Sequence, residues 1–291
     1  MKKKVILTGA TGFIGYNLTK KLKESGYIVG AFVRDKNYKS KFIDYIRSYH
    51  ESNVFSSTYE EFKPDITIHL ATSYKNDVNQ LIDSNILLPI KLLDEISKQD
   101  AKKRKFISTA SYWQLGDKNT PNIPLDNYAS SKDALYSFLK QYSYYSNVDI
   151  VELFIYGTYG TSDGRGKVLD YILDCAKSDI KCELSKGEQV LNLVHVDDVC
   201  NAYMLSIKRL LEFNMDDVER YGVYSKCSCT LKDIVSEVNK SLGREFDVDF
   251  GAKSYRDREI FFPQYPYGLV PEWRQQIGLF DYINKSIKLN D

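Results

Sequence analysis

Residues 4–33 read KVILTGATGFIGYNLTKKLKESGYIVGAFV, and this stretch decides the fold class. It holds an apolar run at 4–8, a helical pattern that begins at Asn17, and a second apolar run at 27–33. Short apolar runs rich in β-branched residues predict buried strands, and apolar residues three or four apart predict a helix. The sequence therefore predicts a strand, a helix and a second strand, with a glycine-rich turn after the first strand.

The three glycines of that turn stand three residues apart, in the pattern G-x-x-G-x-x-G. Gly9 would permit a tight turn, Gly12 would let the backbone approach a pyrophosphate, and Gly15 would let the helix pack close to the strand. The free N–H groups of the helix N-terminus would then face the phosphates. The turn predicts a dinucleotide site formed by Gly9, Thr11, Gly12, Phe13, Ile14 and Gly15.

The end of the second predicted strand indicates which dinucleotide is bound. Val33 stands where an acidic residue would accept hydrogen bonds from the ribose hydroxyls of NAD, and Arg34 follows it. An arginine can hold a ribose 2′-phosphate through its planar guanidinium. We therefore predict NADP(H), with the alternative that Arg34 is a solvated charge and Asp35 takes the ribose.

Composition excludes several other classes of protein. The 291 residues are 43% hydrophobic, and 40 Lys and Arg nearly balance 39 Asp and Glu, which argues against a disordered chain and against a nucleic-acid partner. No apolar run approaches the roughly 18 residues of a membrane span. The basic start resembles a signal peptide, but the apolar stretch after it is interrupted, so we expect a cytoplasmic protein. None of the five cysteines forms a metal-like pair, so we expect no metal.

The middle of the chain continues the alternation of strands and helices. Residues 64–71 and 105–109 predict further buried strands, and a helix is expected from Asn85 to Ser97. Alternating units of this kind predict an α/β fold, a Rossmann-type doubly wound parallel sheet with its ligand at the carboxyl ends of the strands. His69 lies within an apolar strand, and we interpret it as a structural histidine.

A candidate for proton transfer follows in the pattern Tyr128-x-x-x-Lys132. Residues four apart lie on the same face of a helix, one turn from each other. A tyrosine hydroxyl ordinarily titrates near ~10, and a nearby ammonium would lower that value. The pair therefore predicts a tyrosine able to exchange a proton with a carbinol or ketone near neutral pH.

In combination these motifs resemble the extended short-chain dehydrogenase/reductase family, also called the NAD-dependent epimerase/dehydratase family. The resemblance covers nearly the whole chain and rests on the glycine turn, residues 69–71 (HLA), 108–111 (STAS), Tyr128 with Lys132, Tyr159-Gly160 and residues 194–199 (VHVDDV). Residues 111–114, 184–189 and 255–259 further resemble nucleotide-sugar 4-ketoreductases of the CDP-abequose and CDP-paratose synthase type.

The resemblance implies a role for several residues. Tyr128 would be the general acid, Lys132 would hold the nicotinamide ribose and tune Tyr128, and Thr109 would hydrogen-bond the keto oxygen, a role that Ser111 could share. Ordinary hydrogen bonding at a strand end is the alternative for both hydroxyls. By the same resemblance, Leu70, Ala71 and Thr72 would line the cofactor, and Gln189 would contact the substrate.

The resemblance also divides the chain into two lobes. Residues 1–160 would form the NADP(H)-binding domain, to which 190–225 return, and 161–189 with 226–291 would form a smaller C-terminal nucleotide-sugar-binding lobe. In that lobe Arg165 and Lys167 could meet the diphosphate or could be surface cations, and Arg256 or Arg258 could clamp it. Relatives of this kind pair through helices at 85–97 and 129–143, so a homodimer is expected.

Several reactions compete on such a scaffold. Reduction of the 4-keto group of a nucleotide-linked (CDP or dTDP) 4-keto-6-deoxy or 3,6-dideoxy sugar is favoured. A C4 epimerase with retained NAD is the alternative, and a non-catalytic NADP-binding protein is the alternative from another class. Dehydration is disfavoured because Ala110-Ser111 replaces the Asp-Glu of dehydratases, and double epimerisation because Ala110 and Ser162 replace a Cys and a His.

Overall fold

The computed structural model describes residues 2–74, 77–99, 104–161 and 163–288. Ser162, considered above as an acid or base position, lies outside the described residues. The strands, in chain order, are β1 Lys4–Thr8, β2 Ile28–Val33, β3 Tyr45–Ser48, β4 Ile66–His69, β5 Arg104–Ser111, β6 Gly116–Asp117, β7 Thr120–Pro121, β8 Val148–Ile155, β9 Gly157–Tyr159, β10 Cys182–Leu184, β11 Val190–Leu191, β12 Leu193–His195, β13 Glu219–Val223, β14 Cys229–Thr230 and β15 Val248–Phe250.

The helices surround these strands. In chain order they are α1 Phe13–Glu24, α2 Val54–Glu61, α3 Val78–Ile82, α4 Leu88–Ser97, α5 Asn127–Ser146, α6 Val168–Ser178, α7 Val196–Glu212, α8 Leu231–Leu242 and α9 Leu279–Lys288. A π-helical segment, Asp83–Leu87, joins α3 to α4, and a short 3₁₀ turn, Tyr112–Leu115, follows β5.

Seven strands form one sheet in the order β13-β8-β5-β4-β1-β2-β3, and every neighbouring pair in it is parallel. The chain winds outward from β1 in both directions, so the strand order reverses between β1 and β4. Ligands of such sheets bind in the crevice at the carboxyl ends of the strands beside this reversal. The predicted Rossmann-type doubly wound sheet is confirmed.

Two helices begin earlier than their sequence patterns predict. Helix α1 begins at Phe13 rather than Asn17, because Gly12 takes the N-cap position directly after the turn. The predicted helix at 85–97 extends back to Val78 through the π-helical segment. Pro89 lacks the N–H that would bond to the carbonyl of Asn85, and the wider π-helical segment lies just before it. Strand β3 and helix α2 were not predicted.

The described hydrophobic residues form two large groups besides the core beneath α4 and α5. One group joins the central sheet to α1 and α7, and a second joins α6, β10, α8 and α9 around Ile172 and Ile234. Val270 and Trp273 belong to the first group although they lie late in the chain. The stretch between β15 and α9 therefore returns to the sheet, which differs from the predicted assignment of 226–291 to the C-terminal lobe.

Asp198 anchors that returning stretch. Its side chain is fully buried, and its carboxylate accepts hydrogen bonds from the backbone N–H groups of Gln276 (3.0 Å) and Ile277 (2.9 Å). Its carbonyl accepts a third from the indole of Trp273 at 2.8 Å. Asp198 thus connects the first turn of α7 to the segment before α9, which is a structural role.

Across the described ranges, which omit Met1, 75–76, 100–103, 162 and 289–291, no helix has the combined length and apolarity that crossing a membrane requires.

Candidate active site

The glycine turn between β1 and α1 has the geometry that its pattern predicts. Gly9 has φ +74°, and its carbonyl accepts a hydrogen bond from the N–H of Gly12 at 3.0 Å. A Cβ on Gly15 would lie 2.0 Å from the Gly9 carbonyl oxygen, so only glycine permits this approach of helix to turn. The Gly12 cap provides no side-chain hydrogen bond, and the first turn of α1 carries no acid. This helix N-terminus is therefore suited to an anionic phosphate.

Thr8 connects the loop after β4 to this turn by hydrogen bonds. Its buried hydroxyl accepts hydrogen bonds from the N–H groups of Leu70 (3.2 Å) and Ala71 (3.1 Å) and contacts Nδ1 of His69 at 2.9 Å. A Cβ on Gly9 would lie 2.6 Å from the nitrogen of Ala71. The predicted cofactor residues of both loops therefore lie side by side, although Thr8 itself was not predicted.

A buried asparagine joins the β4 loop to the helix that carries Tyr128. Asn85 is fully buried in the π-helical segment; its Oδ1 accepts from the hydroxyl of Thr72 at 2.7 Å, and its Nδ2 donates to Ser131 at 2.8 Å. Ser131 donates in turn to the carbonyl of Tyr128 at 2.7 Å. Sequence reasoning missed Asn85, and a single polar residue in an otherwise helical pattern was its only signal.

Tyr128 lies at the centre of a group of polar and aromatic side chains. Ser111, Tyr74 and Thr72 all act on the pKa of its hydroxyl, and its ring lies 4.9 Å from that of Tyr74 and 6.1 Å from that of Trp113. Desolvation, followed by the influence of Tyr74, raises the pKa of Tyr128 well above 10.0. Desolvation therefore outweighs the lowering expected from Lys132, and the phenol is held in its protonated form.

Lys132 points past Tyr128 into the sheet. The side chain is buried, and its Nζ donates to the carbonyl oxygen of Thr109 at 2.9 Å. Burial lowers the pKa of Lys132 from 10.5 to about 8, while the carboxylate of Glu152 acts in the opposite direction. The amine is thus fixed one helical turn from Tyr128, and it loses its proton as the pH rises above neutral.

The two predicted strand-end hydroxyls have different surroundings. The hydroxyl of Thr109 donates to the carbonyl of His69 at 2.7 Å and lies 2.7 Å from the hydroxyl of Tyr203 on α7. Ser111, at the last position of β5, lies beside Tyr128 instead and acts to lower its pKa. The predicted contacts of Thr109 and Ser111 with a keto oxygen stay predictions, and Ser111 is the hydroxyl that the structure places beside Tyr128.

His69 is structural, as its apolar context predicts. The ring is fully buried, and burial together with the charge of Lys132 lowers its pKa well below 6.5, so it stays neutral. Its contact with Thr8 helps to hold the two loops together.

Three predicted substrate cations lie on the side of the second half that faces this group. The guanidinium of Arg165 forms an ion pair with the buried carboxylate of Asp163 and lies 4.5 Å from the ring centroid of Phe13. Desolvation, and then the charge of Arg165, lower the pKa of Lys167, and Arg256 acts in the same direction. The guanidinium of Arg256 lies 5.5 Å from the ring centroid of Trp113. These cations could meet an anionic ligand bound beside Tyr128.

The other two predicted substrate residues are engaged elsewhere. The amide of Gln189 is buried and exchanges hydrogen bonds with Ser185 at 3.2 and 3.3 Å, because β10 and β11 close a tight connection there. Arg258 is exposed, and its Nη1 donates to the carbonyl of Leu125 at 3.1 Å. Among the described residues no contact joins either side chain to Tyr128, and their role as substrate ligands stays a prediction.

The end of β2 also matches its sequence pattern. Val33 is buried, Arg34 is exposed, and one carboxylate oxygen of Asp35 accepts from the N–H of Asn37 at 2.9 Å within its own turn. Burial raises the pKa of Tyr49 to about 12, and the backbone of Gly9 and the charge of Arg34 both act on the same hydroxyl in the opposite direction. Arg34 thus lies close to the glycine turn.

Within the part of the chain that the structure describes, no three His, Cys, Asp or Glu side chains converge as a metal site would require.

The fold and the glycine turn define a Rossmann-type protein. Comparison with known families identifies the family within this class. Residues 5–215 match the NAD dependent epimerase/dehydratase family. The CDP-abequose synthase of Yersinia pseudotuberculosis is 31% identical over 98% of this chain and 99% of its own length. That of Salmonella typhimurium is 32% identical over 90% and 89%. The chain belongs to the NAD dependent epimerase/dehydratase family.

Solved structures agree on the fold. The UDP-glucose 4-epimerase of Thermotoga maritima superposes with a TM-score of 0.82 at 20% identity, over 98% of this chain and 97% of that chain. The UDP-glucuronic acid 4-epimerase of Bacillus cereus gives 0.80 at 18% identity, over 99% and 100%.

Proposed function

We propose that this protein is an NADPH-dependent 4-ketoreductase of a CDP- or dTDP-linked 4-keto-6-deoxy or 3,6-dideoxy sugar. The observation that carries the proposal is a protonated Tyr128 beside Ser111, one turn from a buried ammonium. A group of this kind is placed to donate a proton to a developing alkoxide. Two CDP-abequose synthases, at 31% and 32% identity, support a CDP-linked substrate.

The residues at the strand ends fit a nicotinamide dinucleotide. The uncapped N-terminus of α1 fits a pyrophosphate, and Gly9 and Gly15 stand where any Cβ would close the cradle. When bound, the dinucleotide supplies the hydride that reduces the sugar carbonyl. Lys132 would hold the nicotinamide ribose from the side of α5.

In the proposed mechanism the protein orients the keto sugar and moves one proton. Ser111 hydrogen-bonds the C4 oxygen and fixes it beside the hydroxyl of Tyr128. As C4 is reduced, negative charge develops on that oxygen, and Tyr128 donates its phenolic proton to it. The ammonium of Lys132 then stabilises the phenolate until solvent reprotonates it. Cations of the second half, Arg165, Lys167 and Arg256, would hold the diphosphate.

The two lobes have different roles in this proposal. We propose that residues 1–160 with 190–225 hold the cofactor and that most of 161–189 and 226–291 hold the nucleotide sugar. The separate hydrophobic group around Ile172 and Ile234 supports this division. The contact of Arg165 with Phe13 supports a substrate lobe that lies against the cofactor turn.

Arg34 should decide between NADPH and NADH. Replacing it by alanine is expected to weaken NADPH binding about 10- to 100-fold, because a charge-assisted hydrogen bond to the 2′-phosphate is lost, and to leave NADH binding unchanged. Fluorescence titration of both dinucleotides measures this. Lys36→Ala, an exposed cation in the same loop, is the control. Equal weakening of both dinucleotides would favour Asp35 as the ribose ligand and NAD as the cofactor.

A substrate panel tests the proposed reaction. The purified protein is incubated with NADPH and 4-keto-6-deoxy sugars carrying CDP, dTDP or GDP, and loss of the reduced nicotinamide is followed. Turnover with one member, with an NMR spectrum showing a new C4–H, would support the ketoreductase and name the nucleotide. C4 inversion without net consumption of dinucleotide would instead show an epimerase. Tight NADPH binding without any turnover would favour the non-catalytic binder.

We also propose a homodimer through the segment 83–97 and α5. Their outer faces carry exposed apolar side chains, among them Leu87 and Phe138, each 42% exposed. Apolar side chains on adjoining helices are typical of a subunit interface. Light scattering should give about twice the chain mass of 33.6 kDa.

A further inference from the structure

A buried carboxylate lies on β8, the second strand from one edge of the sheet, beneath the helix that carries Tyr128 and Lys132. Glu152 belongs to β8, a strand whose eight residues are all buried, and its side chain is 1% exposed. A carboxylate in such surroundings requires a charged partner. Arg220, its register neighbour on β13, provides one: Nε lies 2.7 Å from Oε2.

The position of Arg220 is fixed from several sides. Its guanidinium lies 3.7 Å from the ring centroid of Tyr136 and 4.7 Å from the centroids of both Phe154 and Tyr267. Its Nη1 also donates to the hydroxyl of Tyr267 at 2.6 Å. Glu152 is therefore held by a partner that three aromatic rings enclose.

This pair lies under the face of α5 that carries the proposed active-site lysine. Tyr136, which covers Arg220, stands four residues after Lys132 and so one turn along the same face. The Nζ of Lys132 reaches the carbonyl of Thr109 on β5, and the residue before Thr109 is the register neighbour of Glu152. Both groups thus lie in the layer between α5 and the sheet, where the charge of each acts on the other.

The charges in this layer affect one another. Glu152 raises the pKa of Lys132 against the effect of burial, and Arg220 and Lys132 both lower the pKa of Glu152, which burial raises. Asp133, an exposed residue of α5, also raises the pKa of Glu152 through its charge. On the β4 side Lys132 faces His69, which stays neutral.

We propose that Glu152, fixed by Arg220, is a positioning residue that keeps the buried amine of Lys132 in its ammonium form at neutral pH. It touches neither the proposed substrate nor the cofactor and acts through Lys132 alone. This inference depends on the proposed function at one point only, namely that Lys132 takes part in turnover. An ammonium there would hold the ribose and stabilise the Tyr128 phenolate, whereas a neutral amine would do neither well.

The test is a titration of Lys132 itself, which requires no turnover. The protein is labelled with lysine carrying ¹³C at Cε, and the signal of Lys132 is assigned by its loss in Lys132→Met. The wild-type midpoint is expected near 8. In Glu152→Gln it should fall by at least about one pH unit, which lowers the ammonium fraction at pH 8 from about half to about one tenth.

Two further variants separate this effect from a general disturbance. Glu152→Asp keeps the charge and should restore most of the wild-type midpoint. Asp149→Asn removes another buried carboxylate of β8, which pairs with Lys105 at 3.4 Å, and should leave the midpoint unchanged. If Glu152→Gln fails to fold because Arg220 is left without its partner, the double variant Glu152→Gln/Arg220→Gln replaces it, and its midpoint should also lie below that of the wild type.

If the titration midpoint of Lys132 stays at the wild-type value in Glu152→Gln or in the double variant, the proposal is overturned. With a turnover assay, the alkaline limb of kcat/KM should move to lower pH by the same amount in Glu152→Gln. Another outcome is a midpoint that shifts as expected while no form of the protein, the wild type included, turns over a keto sugar. That result would contradict the proposed reaction and would uphold the role of Glu152.

Discussion

Replacing Tyr128 with phenylalanine is expected to lower the rate of keto-sugar reduction by about 10³-fold, the usual contribution of a positioned general acid. The ring keeps its contacts with Tyr74 and Trp113, so only the hydroxyl and its hydrogen bonds are lost. The free energy of unfolding should change by only about 1 kcal/mol. Single-turnover rates and NADPH titration measure the two effects separately, and NADPH binding should persist.

Tyr142→Phe is the matched control, because Tyr142 lies near the other end of the same helix. Its rate should equal that of the wild type. If Tyr128→Phe retained more than about a tenth of the wild-type rate, Tyr128 would not be the proton donor. Tyr74, whose side chain also acts on the pKa of the Tyr128 hydroxyl, would then be the next residue to replace.

Gly15→Ala should abolish dinucleotide binding and destabilise the protein by about 3 kcal/mol. The added methyl would lie 2.0 Å from the carbonyl oxygen and 2.8 Å from the carbonyl carbon of Gly9, both backbone atoms that cannot turn aside. Helix α1 would have to move off the strand, which opens the phosphate cradle. Thermal unfolding should show a fall in Tm of about 5 °C.

Gly26→Ala gives the comparison. Gly26 also has a positive φ, +84°, but no atom lies within 4 Å of the point that an added methyl would occupy, so only the backbone strain of about 1 kcal/mol remains. NADPH binding should be retained. If Gly15→Ala were as mild as Gly26→Ala, the close approach of α1 to the turn would not be needed for binding.

The parts of this protein that the sequence predicts are those with a repeating or spaced signal. Glycines at fixed intervals and apolar runs identify the sheet and the cofactor turn, and the four-residue spacing identifies Tyr128 and Lys132. Thr8 and Asn85 carry no such signal, because each is a single polar residue whose partners lie far away in the chain. Their roles emerge only when the strands stand side by side.

The different surroundings of Thr109 and Ser111 could not be predicted, for a related reason. Both residues lie on β5 and alternate to the same side, so spacing cannot separate them. What separates them is Tyr203, 94 positions away from Thr109, which takes the Thr109 hydroxyl. The direction of the Tyr128 pKa was likewise unreadable, because desolvation depends on the whole surrounding structure.

The pairing of β8 with β13 has a consequence for the order in which the chain can fold during synthesis. When the ribosome has made residues 1–160, six strands of the sheet exist, but β8 is an open edge and Glu152 has no Arg220 beside it. Asp198 and its partners before α9 come later still. The sheet therefore cannot reach its final state before most of the chain is made, and its two lobes should not fold as separately expressed pieces.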